Sequence, residues 1–144
     1  MARKPQSLLV ELNMSTGEYE HHEKLVSGFY EEMKTIFESS EQPVFIYLDD
    51  NHWVPNKKFL SFLGYKSFEE ITALKKPFLE ALVDEKSQET VASTYERATT
   101  KMVGSTIRVV WKKKSGEKVD SRMILVPVAY RGHLFALHFI SPKA

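Results

Sequence analysis

Histidine offers this chain most of its chemistry. There are five, at positions 21, 22, 52, 133 and 138. An imidazole titrates near neutral pH and ligates metals, so each one asks for a proton-transfer or metal-binding partner. His21 and His22 lie in a glutamate-rich stretch that reads as a solvated helix. His52 follows a turn and reads as a surface strand residue, and His133 lies in a hairpin turn. His138 sits in an apolar strand among Phe135, Leu137 and Phe139, where it is a core residue or a polar group in a pocket. No pair shows metal-site spacing with a carboxylate on the same face, so no metal is expected. The remaining candidates are thinner. Asp49-Asp50 and Asp84-Glu85 have turn and helix-cap roles. Ser39-Ser40 lacks the glycines of a nucleophile elbow. The six glycines are scattered singly, so no loop cradles phosphate. Zero cysteines exclude disulfides, thiolate metal sites and thiol nucleophiles.

His22-Glu23 is similar to the phospho-acceptor box of histidine kinases, but the rest of that box and a nucleotide-binding domain are missing. An enzyme reading would need an inward Asp–His pair in a small cone-shaped α+β fold, and Asp120 with His138 is the only candidate. Composition narrows the field further. The 144 residues are 42% hydrophobic and 27% charged, with 20 Lys+Arg against 19 Asp+Glu. A net charge of +1 argues against a nucleic-acid binder. No apolar run reaches the length of a membrane span, and the apolar run at Leu8-Leu9-Val10 is too short for a signal peptide. The expectation is a cytoplasmic domain.

The elements that must position these residues read as follows. Residues 7–12 form a strand or one helical turn. Ser15-Thr16-Gly17-Glu18 matches a capping box and opens a helix to about Ser39 or Ser40. Its apolar residues fall on two stripes, Leu25/Phe29/Ile36 and Val26/Tyr30/Met33/Phe37. That face is wider than one packing partner needs. Val44 to Leu48 and His52 to Val54 form a hairpin, with Pro55 confining the second strand to an edge or end. Asn56 caps Lys57–Leu63, which stops at Gly64. Ser67-Phe68-Glu69-Glu70 opens a second short helix, and Asp84 caps a longer one from Glu85 to about Thr100. Three strands close the chain, at 106–112, 119–128 and 134–140, joined by turns at Gly116 and Gly132.

This order, with its local motifs, resembles the PAS sensor-domain family over Phe37 to Ser141. The residues carrying the resemblance are the strand entry Ser39-Ser40-Glu41-Gln42-Pro43-Val44-Phe45-Ile46, the run Asn56 to Ile71 with its capping Asn, Gly64-Tyr65 and Ser67-Phe68-Glu69-Glu70, and Leu82-Val83-Asp84-Glu85. Val109 to Gly116, Val126-Pro127-Val128 and His138-Phe139-Ile140-Ser141 complete it. The usual His-Pro before the long helix is absent, and the last run replaces the usual Asp-Ile-Thr ending. The resemblance implies an α+β fold: a five-stranded antiparallel sheet of order 2-1-5-4-3, short helices on one face and an N-terminal leader helix. It divides the chain into an arm and leader helix at 1–36 and a PAS-like domain at 37–144.

Functions in that family vary: ligand sensing, light or redox sensing through a cofactor, and dimerisation that signals to another domain. Flavin-type light sensors there use a cysteine, which this chain lacks. Haem-binding members place a histidine on or near the long helix, which here carries none between Asp84 and Met102. No cofactor is therefore expected. A small ligand would sit between long helix and sheet, with Asn56, Tyr95, Arg108, Trp111, Arg122 and His138 as candidate anchors. The two faces of the strand Ile107 to Trp111 cannot be assigned from sequence, and Arg108 would face inward only with an acidic partner. A core closed without ligand is the other possibility, leaving a pure dimerisation domain. Charge is uneven: the leader helix region through Glu41 balances to −5 and Lys101 to Lys118 to +5. With the double stripe this predicts that one stripe covers the sheet and the other meets a second copy. Leu25, Val26, Phe29, Tyr30, Met33, Ile36 and Phe37 would form that homodimer interface. A signalling partner protein is the further expectation.

Overall fold

The computed structural model describes residues 16–142. The expected arm, including the strand or turn at 7–12 and Ser15 of the capping box, lies outside the described residues. The element order is α1 (Thr16–Ser39), β1 (Val44–Asp49), β2 (His52–Pro55), α2 (Lys57–Leu63), α3 (Phe68–Thr72), α4 (Phe78–Leu82), α5 (Glu85–Lys101), β3 (Ser105–Lys112), β4 (Lys118–Tyr130) and β5 (His133–Pro142). All strand pairs are antiparallel, and the order across the sheet is β2-β1-β5-β4-β3. The first and last strands of the chain thus meet at the centre, as the family resemblance implied. Pro55 ends the edge strand β2, where its missing N–H costs no ladder bond.

Local chemistry sets the helix boundaries. The side chain of Asn56 accepts from Phe59 N at 2.9 Å, and Gly64 closes α2 at φ +85°, a left-handed conformation that disfavours any residue with a Cβ. Ser67 caps α3 through Glu70 N, while the Glu70 carboxylate accepts from Lys66 N rather than from Ser67 N. Asp84 caps α5 through Lys86 N. Lys118 lies 2.8 Å from Asp84 and leads the interactions that hold this carboxyl below the usual range.

The sheet is the shared wall of two apolar clusters. On its inner face Phe45, Tyr47, Val109, Trp111, Met123, Leu125, Ala136 and Ile140 pack under α2 to α5. On the outer face Val44, Ile46, Leu48, Phe135 and Leu137 pack under α1. Successive residues of β1 and β5 therefore feed opposite clusters, as strand alternation requires. An outer face this apolar needs cover, and α1 supplies it with Leu25, Val26, Phe29 and Phe37, all buried.

That packing covers most of the expected dimer seam within the chain itself. Both stripes of α1 turn toward the chain's own sheet. Leu25, Val26, Phe29 and Phe37 are buried there, Tyr30 and Met33 are partly buried against the same cluster, and only Ile36 stands out at 62% exposure. The apolar face is wide because it lies across several strands of the chain's own sheet. The helix also approaches the sheet closely at Gly28, where an added Cβ would meet the Tyr130 hydroxyl at 2.6 Å. The expected division at residue 36 falls inside α1, which runs on to Ser39. The basic stretch lies on β3 and the turn after it, at the far side of the sheet from β1 and β2. Glu70, Asp84, Glu117 and Asp120 are its ion-pair partners.

Candidate functional site

A ligand in such a fold would lie between α5 and the inner sheet face. The polar side chains there decide whether the space can receive one. Four of the six expected anchors face inward, and three of those are committed within the chain. Asn56 is 2% exposed. Its oxygen accepts from Val44 N and Phe59 N, and its amide donates to the carbonyls of Phe37 and Gln42. It ties α1, β1 and α2 together. Tyr95 donates to the Leu48 carbonyl at 3.1 Å, and burial pushes its phenol well above the ordinary value. Trp111 donates to Ser121 Oγ at 2.9 Å, and the Ser121 hydroxyl in turn donates to the Val109 carbonyl. These groups fasten elements to each other rather than pointing at open space.

Arg108 and Arg122 are corrections. Both are exposed on the other face, because Val109 and Trp111 on β3 and Ser121 and Met123 on β4 take the inward positions. Arg108 has the acidic partner that a buried placement would have required, but in solvent. Its guanidinium grips Asp120 in a fork, Nε to Oδ1 at 2.9 Å and NH2 to Oδ2 at 2.7 Å. The same alternation dissolves the enzyme pair. Asp120 lies on the outer face beside Arg108, and His138 lies inside, so the two never meet.

His138 is the sixth candidate and differs from the rest. It is fully buried opposite Phe45 and Leu125, and stacks on Phe45 with centroids 4.0 Å apart and planes 5° from parallel. Neither ring nitrogen makes a hydrogen bond among the described residues. Burial pulls its pKa down to about 3. The backbone at Phe45 and Ala136 opposes the shift without overcoming burial, and neither reaches a nitrogen with hydrogen-bond geometry. The imidazole is held neutral inside an aromatic cluster in which Phe45 also touches Trp53, Phe59, Phe78 and Trp111.

A second constellation was not legible as such in the sequence. Asp49, at the end of β1, is completely buried. Its Oδ1 lies 2.7 Å from His52 Nδ1 and accepts from Asn51 N, and its Oδ2 lies 2.9 Å from His22 Nδ1 on α1. Burial alone would raise this carboxyl, but the bonds from His52 and His22 outweigh it and hold the pKa below the ordinary range. His52 is 4% exposed, not a surface residue, and the His22 side chain is only 20% exposed, not solvated. His133 comes in from the β4–β5 turn, with its ring 5.7 Å from that of His22 and 5.1 Å from that of His21. Four of the five histidines therefore gather where α1 crosses the ends of two hairpins. One part of this had a local signal: Asp49 and His52 flank a two-residue turn, which makes them cross-strand neighbours on one face.

Comparison with known proteins bears on the architecture. No family model matches the sequence, and no curated protein matches it. Among solved structures, the PAS domain of an HTR-like protein from Haloarcula marismortui superposes with a TM-score of 0.59 at 16% identity, covering 86% of this chain and 99% of that one. This chain has the PAS fold. A PAS domain from a two-component sensor histidine kinase matches with a TM-score of 0.58 at 16% identity, over 81% of this chain and 97% of the other. The PAS domain of the fruit-fly ELK potassium channel gives 0.57 at 14%, over 79% and 96%. Within this PAS fold the inner face is packed and the outer face carries α1. No helix among the described residues is long and apolar enough to cross a membrane.

Proposed function

We propose that this PAS-fold chain is a non-enzymatic, cytoplasmic signal-transduction module whose inner core is closed and whose output is the docking of α1 on the outer sheet face. The observation that carries the reading is the sharing of β1 and β5 between two separate clusters. A change inside, at Phe45 or His138, moves the same strands whose alternate residues Ile46 and Leu137 hold the helix. Interior packing is dense enough to transmit such a shift rather than absorb it. A partner, either a second copy or another signalling protein, would read the helix position. Ile36 on α1 and Ile124 and Val126 on β4 are exposed large apolar residues that such a partner would cover.

One observation favours a second reading, in which the core takes a small molecule. Both ring nitrogens of His138 are buried and without a partner among the described residues, and a ligand able to donate and accept would satisfy them. Native mass spectrometry and an absorbance spectrum of freshly purified protein separate the two. The closed-core reading predicts the bare chain mass, or whole multiples of it, and no visible band. A stoichiometric co-purifying organic molecule, as distinct from a metal ion, would overturn it in favour of a ligand sensor.

A further inference from the structure

We propose that His22, Asp49 and His52 form a binding site for a divalent transition-metal ion of the zinc class, tying α1 to the β1–β2 hairpin. Two imidazoles and one carboxylate form the donor set that zinc takes with three protein ligands and one open position. One donor atom from each of the three residues lies within 4.8 Å of the others. In a tetrahedral site with bonds of about 2.0–2.2 Å, neighbouring donors stand roughly 3.3 Å apart. The present contacts of 2.7 and 2.9 Å are hydrogen-bond lengths to the two different oxygens of Asp49, so each imidazole withdraws from its oxygen by about half an ångström and both turn toward one shared ion.

A further observation points the same way. The site holds a completely buried carboxylate that, among the described residues, meets these two imidazoles and the Asn51 N–H. A dication bound by neutral imidazoles would balance Asp49 directly. His133 stands at the rim. Its ring lies 5.7 Å from that of His22, outside the three residues whose donor atoms converge. The Asn51 N–H on Asp49 Oδ1 supplies the outer-shell bond that orients a carboxylate ligand.

The site spans two elements that the proposed function treats as separable, His22 from the helix and the other two from the core. Bound metal would therefore favour the docked helix. That consequence rests on the reading of α1 as the output, whereas metal binding itself does not.

The test uses the full chain without a histidine tag, freed of metal with a chelator and titrated calorimetrically with zinc chloride. One ion per chain is expected, with the melting temperature raised by several degrees at saturation. Asp49→Asn risks misfolding because the carboxylate is buried, so the decisive variant is His22→Gln on the partly exposed helix face. It should weaken zinc binding at least about tenfold, while His21→Gln changes it less than about threefold. Magnesium at the same concentration should neither bind nor stabilise. Failure of the wild-type chain to bind zinc stoichiometrically would overturn the proposal. So would zinc affinity unaltered by His22→Gln, or lost equally in His21→Gln. Loss of co-operation between helix and core with zinc binding intact would overturn the signalling reading alone.

Discussion

Replacing Phe29 with Ala should lower the unfolding free energy by about 3–5 kcal/mol, the range for deleting a fully buried aromatic side chain. Phe29 is 4% exposed and lies at the centre of the α1–sheet contact, with ring centroids 4.8 Å from Phe135 and 5.1 Å from Tyr130. The loss has a ceiling that carries information. If α1 can leave the sheet while the core stays folded, the measured cost cannot exceed the free energy of docking. Beyond that point the helix simply detaches. The detached state would expose Ile46, Phe135 and Leu137 on a flat sheet face, so the variant should also bind hydrophobic dye and self-associate. Urea denaturation followed by tryptophan fluorescence reports on the core through Trp53 and Trp111, both in the inner cluster. A loss below about 1 kcal/mol, with no dye binding, would show that the helix contributes little cover.

The second large effect concerns acid. His138 has a folded pKa of about 3 against an ordinary value of 6.5. Between those values the unfolded chain binds a proton that the folded chain refuses, so folding loses stability as pH falls from about 6.5 toward 3. The slope is about 1.4 kcal/mol per pH unit for one such group. Above 6.5 the imidazole is neutral in both states and contributes no pH dependence. His138→Leu, close in volume and with no nitrogen to desolvate, should therefore be more stable than the wild-type chain by about 1–2 kcal/mol at pH 7. The advantage should widen by about 2 kcal/mol at pH 5. Part of the neutral-pH gain is offset by the lost stacking on Phe45, on the order of 1 kcal/mol. Parallel denaturation curves at the two pH values check this. An advantage that does not grow in acid would mean that His138 is solvated or paired in the folded chain.

The fold was readable because its boundaries are set by local chemistry. Asn56, Ser67 and Asp84 act as caps where their side chains can reach the next turn, and Gly64 ends a helix where only the left-handed conformation closes it. The placement of β2 at an edge follows from Pro55 for the same reason. The candidate site was less readable because it depends on which face a strand presents. From Thr106 to Lys112 both faces carry plausible core and surface residues, and the choice is made by Trp111, whose indole N–H needs Ser121 and whose ring fills the inner cluster. Arg108 then falls outside with Asp120. The width of the α1 face was visible as a pattern, but it does not say whether one sheet or two partners fill it. The histidine cluster joins residues 22, 49, 52 and 133, of which only Asp49 and His52 are neighbours in sequence. Docking of α1 brings His22 and closure of β5 between β1 and β4 brings His133, and both are properties of topology rather than of spacing.

The account rests most heavily on α1 being a unit that opens separately from the sheet it covers. Native-state hydrogen exchange at each backbone amide measures this directly. The amides in the middle of α1 should exchange through an opening at least about 1.4 kcal/mol less costly than that of β1, β4 and β5, which is tenfold faster exchange. The core strands should share one larger opening free energy. A single value for helix and strands alike would show that α1 belongs to one indivisible core, and would contradict its role as the moving part.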